Sequence, residues 1–177
     1  TGAAPNQQAI PAVDYLAASE GVKRWVLAGT DYVYPRTTNK ILETYLKSKG
    51  VAAADIMINY TPFGHADWQS IVADIKKFGS AGKKTAVVST INGDANVPFY
   101  KELGNQGISA KDIPVVAFSV GEEELAGIDT KPLVGAGVRL CGNAHIPRCP
   151  FQFLLQGMTI ILITIDQNQH PPVRRPT

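Results

Sequence analysis

The chain has 177 residues, 45% of them hydrophobic and 18% charged, which is the composition of an ordinary globular domain. Its formal net charge is +2 and its basic residues are scattered through the first 134 positions, which excludes the clustered basic surface of a nucleic-acid-binding protein. No apolar run reaches the roughly 18 residues of a membrane span, and no signal-peptide pattern of basic, apolar and small segments is present, so direct membrane insertion is not predicted.

Four short apolar segments predict buried β-strands that alternate with helices. The predicted strands are 23–28, 55–60, 85–90 and 114–118, and the predicted helices are 6–19, 37–49, 68–78, 97–106 and 122–126. Within the predicted helices, apolar residues recur at a spacing of three and four, and glycines follow several of the helix ends. Because alternating strands and helices indicate βαβ units, we predict an α/β fold, a doubly wound parallel sheet with helices on both faces.

The loop after the first predicted strand carries the most informative residues. Gly29 is expected to end the strand, and Pro35 is expected to lie in the first turn of the next helix. Between them stand a hydroxyl, a carboxylate and two phenols, from Thr30, Asp31, Tyr32 and Tyr34. The two tyrosines can offer aromatic walls and phenol hydrogen bonds to a small polar ligand. The alternative is that both rings simply pack the helix onto the strand.

The strand-to-helix loops of a parallel sheet meet at one edge, where ligands bind in such folds. The other loops predicted at this edge add Asn92, Ser119 and Glu122. Glu122 opens an acidic run, 122–124, which reads first as the acidic opening turn of a helix. It is also the member of that run nearest the strand end, from which its side chain could point into the cleft. This mixture of neutral and acidic groups suits a small uncharged polar molecule or an amine better than a phosphate.

No arrangement for catalysis or metal binding is recognisable. His65 stands alone in a loop, and neither His145 nor His170 has a cysteine or carboxylate at a convincing ligand spacing. Glycine-rich phosphate-binding motifs are absent, and no nucleophile is paired with a base. The sequence therefore predicts a binding protein, with no enzymatic activity, no cofactor and no metal.

Residues 135–177 differ from the rest of the chain. They hold 4 arginines against 1 aspartate, and they contain both cysteines, Cys141 and Cys149. These cysteines could form a disulfide, bind a metal together with ligands from elsewhere, or do neither. The apolar run 151–165 could add a strand to the sheet, and it equally fits an aggregation-prone segment. The polar end of the chain, 167–177, is predicted to be disordered.

Three segments carry a resemblance to a known family. They are Gly2–Gln8 (GAAPNQQ), Gly29–Arg36 (GTDYVYPR) and Ser89–Asn96 (STINGDAN). All three closely resemble the substrate-binding proteins of bacterial urea ABC transporters. More distantly, residues 1–134 resemble the amide-sensing regulator and the branched-chain amino-acid-binding proteins of the same type I periplasmic binding protein family.

The resemblance implies two α/β lobes joined by a hinge, which close on a ligand held between them. Residues 1–134 would form part of the second lobe, and the first lobe would precede Thr1. The loop with Tyr32 and Tyr34 would face the amide or urea. The remaining cleft positions implied by the resemblance are Asn92 and Gly93 in one loop and the region from Ser119 to Glu122 in another.

The implied function is that of a periplasmic solute-binding component of an ABC importer, which delivers urea or a short-chain amide to a membrane permease. The alternatives are a cytoplasmic amide-sensing regulator or a branched-chain amino-acid-binding protein on the same fold, and a small α/β enzyme. The tail, 135–177, does not resemble the family, and we expect a frame change or a joined fragment there. Because a lobe without its partner exposes apolar cleft surface, weak self-association is also expected.

Overall fold

The computed structural model describes residues 4–109 and 111–120, together with the backbone of 139–141 and 160–163. The four α-helices are α1 (Pro5–Ser19), α2 (Val33–Ser48), α3 (Gln69–Gly79) and α4 (Asn96–Asn105). The six strands are β1 (Arg24–Thr30), β2 (Ile56–Thr61), β3 (Thr85–Thr90), β4 (Val115–Ala117), β5 (Arg139–Cys141) and β6 (Ile160–Ile163). Single 3-10 turns at Ala53–Asp55 and Gly93–Ala95 precede β2 and α4.

The strands form one sheet in the order β2-β1-β3-β4-β6-β5. Strands β1 to β4 are parallel, and β1 lies between β2 and β3 with Thr30 opposite Thr61 and Gly29 opposite Thr90. Strand β6 runs antiparallel to β4, and β5 runs antiparallel to β6. The apolar run near the C terminus therefore does contribute a strand. The predicted helix 122–126 and the predicted disorder of 167–177 lie outside the described residues.

Helices cover both faces of the parallel strands, which confirms the predicted doubly wound fold. On one face Val26 and Ala28 pack with Trp68 of the α3 N terminus and Phe99 of α4. On the other face Trp25, Leu27, Val88 and Val116 pack with α1 and α2 through residues that include Val13, Leu16, Leu42 and Leu46. Neighbouring residues of β1 alternate between the two cores because successive side chains of a strand point to opposite faces.

The end of β1 differs from the sequence prediction. Gly29 does not end the strand, since it pairs with both β2 and β3, and pairing with β2 continues to Thr30. Helix α2 begins at Val33, four residues earlier than predicted, and includes Pro35 in its first turn, where a missing N–H costs no helical hydrogen bond. The predicted six-residue loop is therefore reduced to Asp31 and Tyr32.

Gly29 is needed at a close approach between β1 and α2. A Cβ at this position would lie 2.5 Å from the Thr90 hydroxyl oxygen and 2.8 Å from Pro35 Cβ. The absent side chain therefore lets the first turn of α2 sit directly on the end of the sheet. This contact fixes where the residues that follow β1 emerge.

Candidate functional site

The candidate site lies at the C-terminal edge of the parallel strands, where β1, β3 and β4 end. The buried Thr30 hydroxyl accepts a hydrogen bond of 2.8 Å from the backbone N–H of Asn92, which follows β3. The N–H of Asp31 donates to the carbonyl of Thr61 at the end of β2, at 2.7 Å. These two bonds connect the loop after β1 to the ends of both neighbouring strands.

Tyr32 is one of two accessible aromatic residues described at this edge. It is the N-cap residue of α2, its side chain caps no helical N–H, and 53% of its surface is exposed. Its ring meets Phe63 of the β2–α3 loop edge-on, with ring centres 5.4 Å apart. Phe63 is itself 59% exposed, so the pair forms a small aromatic surface beside the strand ends. Tyr34 lies half-buried in the first turn of α2.

Asp31 forms an ion pair with Arg36 of α2, whose Nε lies 2.6 Å from Asp31 Oδ1. The hydrogen bond from Arg36, with its positive charge, lowers the pKa of the Asp31 carboxyl below the ordinary aspartate value. The Arg36 guanidinium also lies over the ring of Tyr60, 4.6 Å from its centre. The negative charge of Asp31, expected to make this loop acidic, is thus neutralised locally by Arg36, five residues further along the chain.

The loops after β3 and β4 are held together by Asn96, a fully buried residue of α4. Its side-chain N–H groups donate to the carbonyls of Ile91 at 2.9 Å, of Gly93 at 3.1 Å and of Ser119 at 3.4 Å. Gly93 has a φ of +64°, which favours glycine at this turn. Asn96 therefore positions the two loops that contain Asn92 and Ser119.

Seven of the eight predicted site residues lie in the described part of the chain, along or near this edge. Thr30 accepts hydrogen bonds from the N–H of Asn92 on its hydroxyl and from the N–H of Tyr32 on its carbonyl, with Asp31 between Thr30 and Tyr32 in the chain. Gly93 and Ser119 share the Asn96 contact. Glu122 lies outside the described residues. The sequence prediction did not include Arg36, Phe63 or Asn96. Arg36 stood in the GTDYVYPR segment, which was the one signal that could have found it.

Within residues 4–109 and 111–120, no group of three or more His, Cys, Asp or Glu side chains that could hold a metal ion occurs, so His65 is not part of one there. Its ring meets the Trp68 indole edge-on, and its backbone carbonyl accepts a hydrogen bond of 3.0 Å from the indole N–H of Trp68. His65 therefore helps to seat the start of α3. Among the described helices, none is long and apolar enough to cross a membrane.

Comparison with known proteins places this architecture. Residues 1–138 match the model of the periplasmic binding protein domain. The chain belongs to the periplasmic binding protein family. Members of this family bind solutes, which agrees with the predicted binding role and with a fold that carries its polar groups at the ends of parallel strands.

Solved structures with the same fold include two proteins of ABC transporters. One is an amino acid substrate-binding protein from Pseudomonas fluorescens Pf-5, with a TM-score of 0.56 and 13% identity over 75% of this chain and 33% of that one. The other is a solute-binding protein from R. palustris in complex with 4-hydroxybenzoate, with a TM-score of 0.52 and 18% identity over 63% of this chain and 28% of that one. The chain thus spans about a third of the length of these proteins.

Proposed function

We propose that this chain is part of the solute-binding component of an ABC importer for urea or short-chain amides, and that it supplies the core of the second of two lobes. The family match and the fold support a binding lobe. The ABC transporter proteins with this fold support an importer as the partner, with a membrane permease receiving the ligand. The family supports the periplasm as the location. The proposal involves no catalysis and no cofactor.

The observation that carries the choice of ligand is the neutral, hydrogen-bonding character of the strand-end edge around Tyr32. Tyr32 presents a half-exposed phenol beside Phe63, and the carboxylate of Asp31 is paired with Arg36. A small amide combines a flat apolar face with N–H donors and a carbonyl acceptor, which a phenol and an aromatic ring match. The GTDYVYPR segment, which resembles urea-binding proteins, supports the same ligand class.

The first test is to titrate the full 177-residue chain separately with urea, acetamide and leucine, and to monitor binding by NMR chemical shifts. Urea is kept below about 0.1 M, where its denaturing effect removes no more than about 0.3 kcal/mol from the stability of a small protein. We expect saturable shifts at Tyr32 and Asn92 with urea or acetamide. Preferential binding of leucine would instead identify an amino-acid-binding protein, and no binding of either amide would refute the proposed ligand class.

Replacing Tyr32 by alanine tests the residue that carries the proposal. We expect Tyr32→Ala to weaken urea binding at least tenfold, about 1.4 kcal/mol, because the phenol and ring face are lost. Tyr45→Ala is the matched control, since Tyr45 is a tyrosine of α2, the helix that begins after Tyr32, and its hydroxyl bonds to Asp14 of α1 instead. Both variants are checked for an unchanged circular dichroism spectrum. Equal affinity in Tyr32→Ala and the wild type would remove this loop from the site.

A further inference from the structure

Arg36 is fixed in place but keeps unused hydrogen-bond donors. Its Nε is bonded to Asp31 at 2.6 Å, its guanidinium lies over the Tyr60 ring, and its backbone N–H donates to the carbonyl of Tyr32 at 3.1 Å. Within the described residues, neither of its terminal amino groups has a hydrogen-bond partner. The side chain is 56% exposed, so these amino groups can meet a ligand.

A guanidinium held by its Nε and by a stacked ring has little rotational freedom left to lose when it binds. Planar, charged N–H donors make hydrogen bonds to oxygen acceptors that are about twice as strong as those between neutral groups. Prior fixation by Asp31 and Tyr60 lowers the entropic cost of each such bond. Arg36 is therefore a prepared donor for an oxygen acceptor.

The position of Arg36 links it to the candidate site. It follows Tyr32 by one turn of α2, and Asp31, its ion-pair partner, is bonded through its backbone to Thr61 at the end of β2. Tyr32 forms the exposed aromatic pair with Phe63, and Phe63 follows Tyr60, the residue whose ring lies against the Arg36 guanidinium, by three positions. If an amide stacks flat on the Tyr32–Phe63 pair, its carbonyl oxygen would meet the Arg36 guanidinium at the edge of this aromatic surface.

We propose that Arg36 donates its terminal amino groups to the carbonyl oxygen of the bound urea or amide, and so selects ligands by their oxygen acceptor. This inference rests on the proposed function and adds the residue that recognises one end of the ligand. It predicts discrimination against guanidinium, which has the shape of urea but replaces the oxygen with an N–H donor and carries a positive charge.

The experiment compares urea and guanidinium binding to the full chain and three variants. Arg36→Met keeps the aliphatic stem and removes every donor, and Arg36→Lys keeps the charge but not the planar fork. Lys47→Met is the matched control, because Lys47 is an exposed cation of the same helix paired with Glu43 at 2.6 Å. We expect urea affinity to fall at least tenfold in Arg36→Met, by less in Arg36→Lys and not at all in Lys47→Met. The preference for urea over guanidinium should fall at least tenfold in Arg36→Met.

The outcomes separate the two proposals. If the wild-type chain binds urea and Arg36→Met binds it equally well, the role of Arg36 is wrong and the proposed function stands. If the wild-type chain binds neither urea nor acetamide, both are wrong. If Arg36→Met fails to fold, the side-chain N–H resonances of Arg36 in the wild-type chain decide, since bound urea should shift them and an absence of any shift would overturn the inference.

Discussion

Two arginines at opposite ends of the same sheet have similar partners and different roles. Arg24, at the start of β1, lies with its Nε 3.1 Å from Asp55 and its guanidinium 3.6 Å from the centre of the Phe78 ring. Arg36, beyond the C-terminal end of β1, has the same combination of an aspartate and an aromatic ring. In the sequence, Arg36 is distinguished from the other 16 Lys and Arg only by its place in the GTDYVYPR segment, and Arg24 is not distinguished at all.

The two arginines differ in how their terminal amino groups are used. Those of Arg24 donate to the backbone carbonyls of Phe78 and Ala54, and its side chain is only 12% exposed. It thereby joins the start of β1 to the end of α3 and to the turn before β2. Those of Arg36 have no such partners within the described residues. An arginine whose two terminal amino groups both donate to the protein acts in the structure, whereas one hydrogen-bonded only through its Nε keeps its terminal amino groups available to a ligand.

The largest expected loss of stability is for a substitution of Arg24, at the N-terminal end of β1. Arg24→Met should destabilise the chain by about 3 kcal/mol, because a mostly buried ion pair loses one partner and two carbonyls lose their donor. Arg36→Met should leave the free energy of unfolding close to that of the wild type, since exposed ion pairs contribute little. Guanidinium chloride unfolding followed by circular dichroism measures both. Equal destabilisation by the two variants would mean that the two arginines do not differ as described.

A second contrast between the two ends involves glycine. Gly29→Ala should cost about 2 kcal/mol, because the new Cβ would press against the Thr90 hydroxyl and against Pro35, whose ring is fixed. At the other end, a Cβ at Gly79 would meet the tip of the flexible Ile113 side chain. Gly79→Ala should therefore cost clearly less, since Ile113 can change rotamer and alanine favours the helix. A larger loss of stability in Gly79→Ala than in Gly29→Ala would contradict this difference.

The strands and the order of elements were predictable because their signals are local. Strand β3 has the predicted bounds, Thr85–Thr90, since a run of β-branched and small residues bounded by loops specifies a buried strand. The end of β1 was not predictable from a local pattern. A glycine in isolation indicates a break, and only the pairing of Gly29 with Tyr60 and Thr90 in the neighbouring strands shows that it continues the strand.

The candidate site shows the same division. Residues that follow strands, such as Tyr32 and Asn92, could be proposed because the ends of parallel strands meet at one edge. Arg36 lies within a helix, and its contact with Tyr60 of β2 joins residues 24 positions apart in the chain. Asn96 likewise acts through bonds to loops 3 to 23 residues away. Such long-range contacts leave no periodic signal in the sequence.

The smallest expected effect concerns the titration of the two aspartates. The pKa of each carboxyl lies below its ordinary value of 3.8. The hydrogen bond from Arg36 lowers the pKa of Asp31, and chiefly the hydrogen bond from Lys83 lowers that of Asp55. Because the folded-state pKa is lowered, each ion pair stabilises the fold above pH 3.8. This stabilisation is lost as the pH falls through the lowered pKa. Carboxyl carbon shifts followed by NMR between pH 6 and about 2 should give both midpoints below the ordinary value.

Arg36→Met should return the Asp31 midpoint to the ordinary value and leave the Asp55 midpoint unchanged, since Asp55 keeps both Lys83 and Arg24. An Asp31 midpoint that does not move in Arg36→Met would mean that the ion pair does not hold Arg36 in solution. The guanidinium would then be free to rotate, and the entropic advantage that prepares it for a ligand oxygen would be absent. The same titration thus tests the fixation of Arg36 without any ligand present.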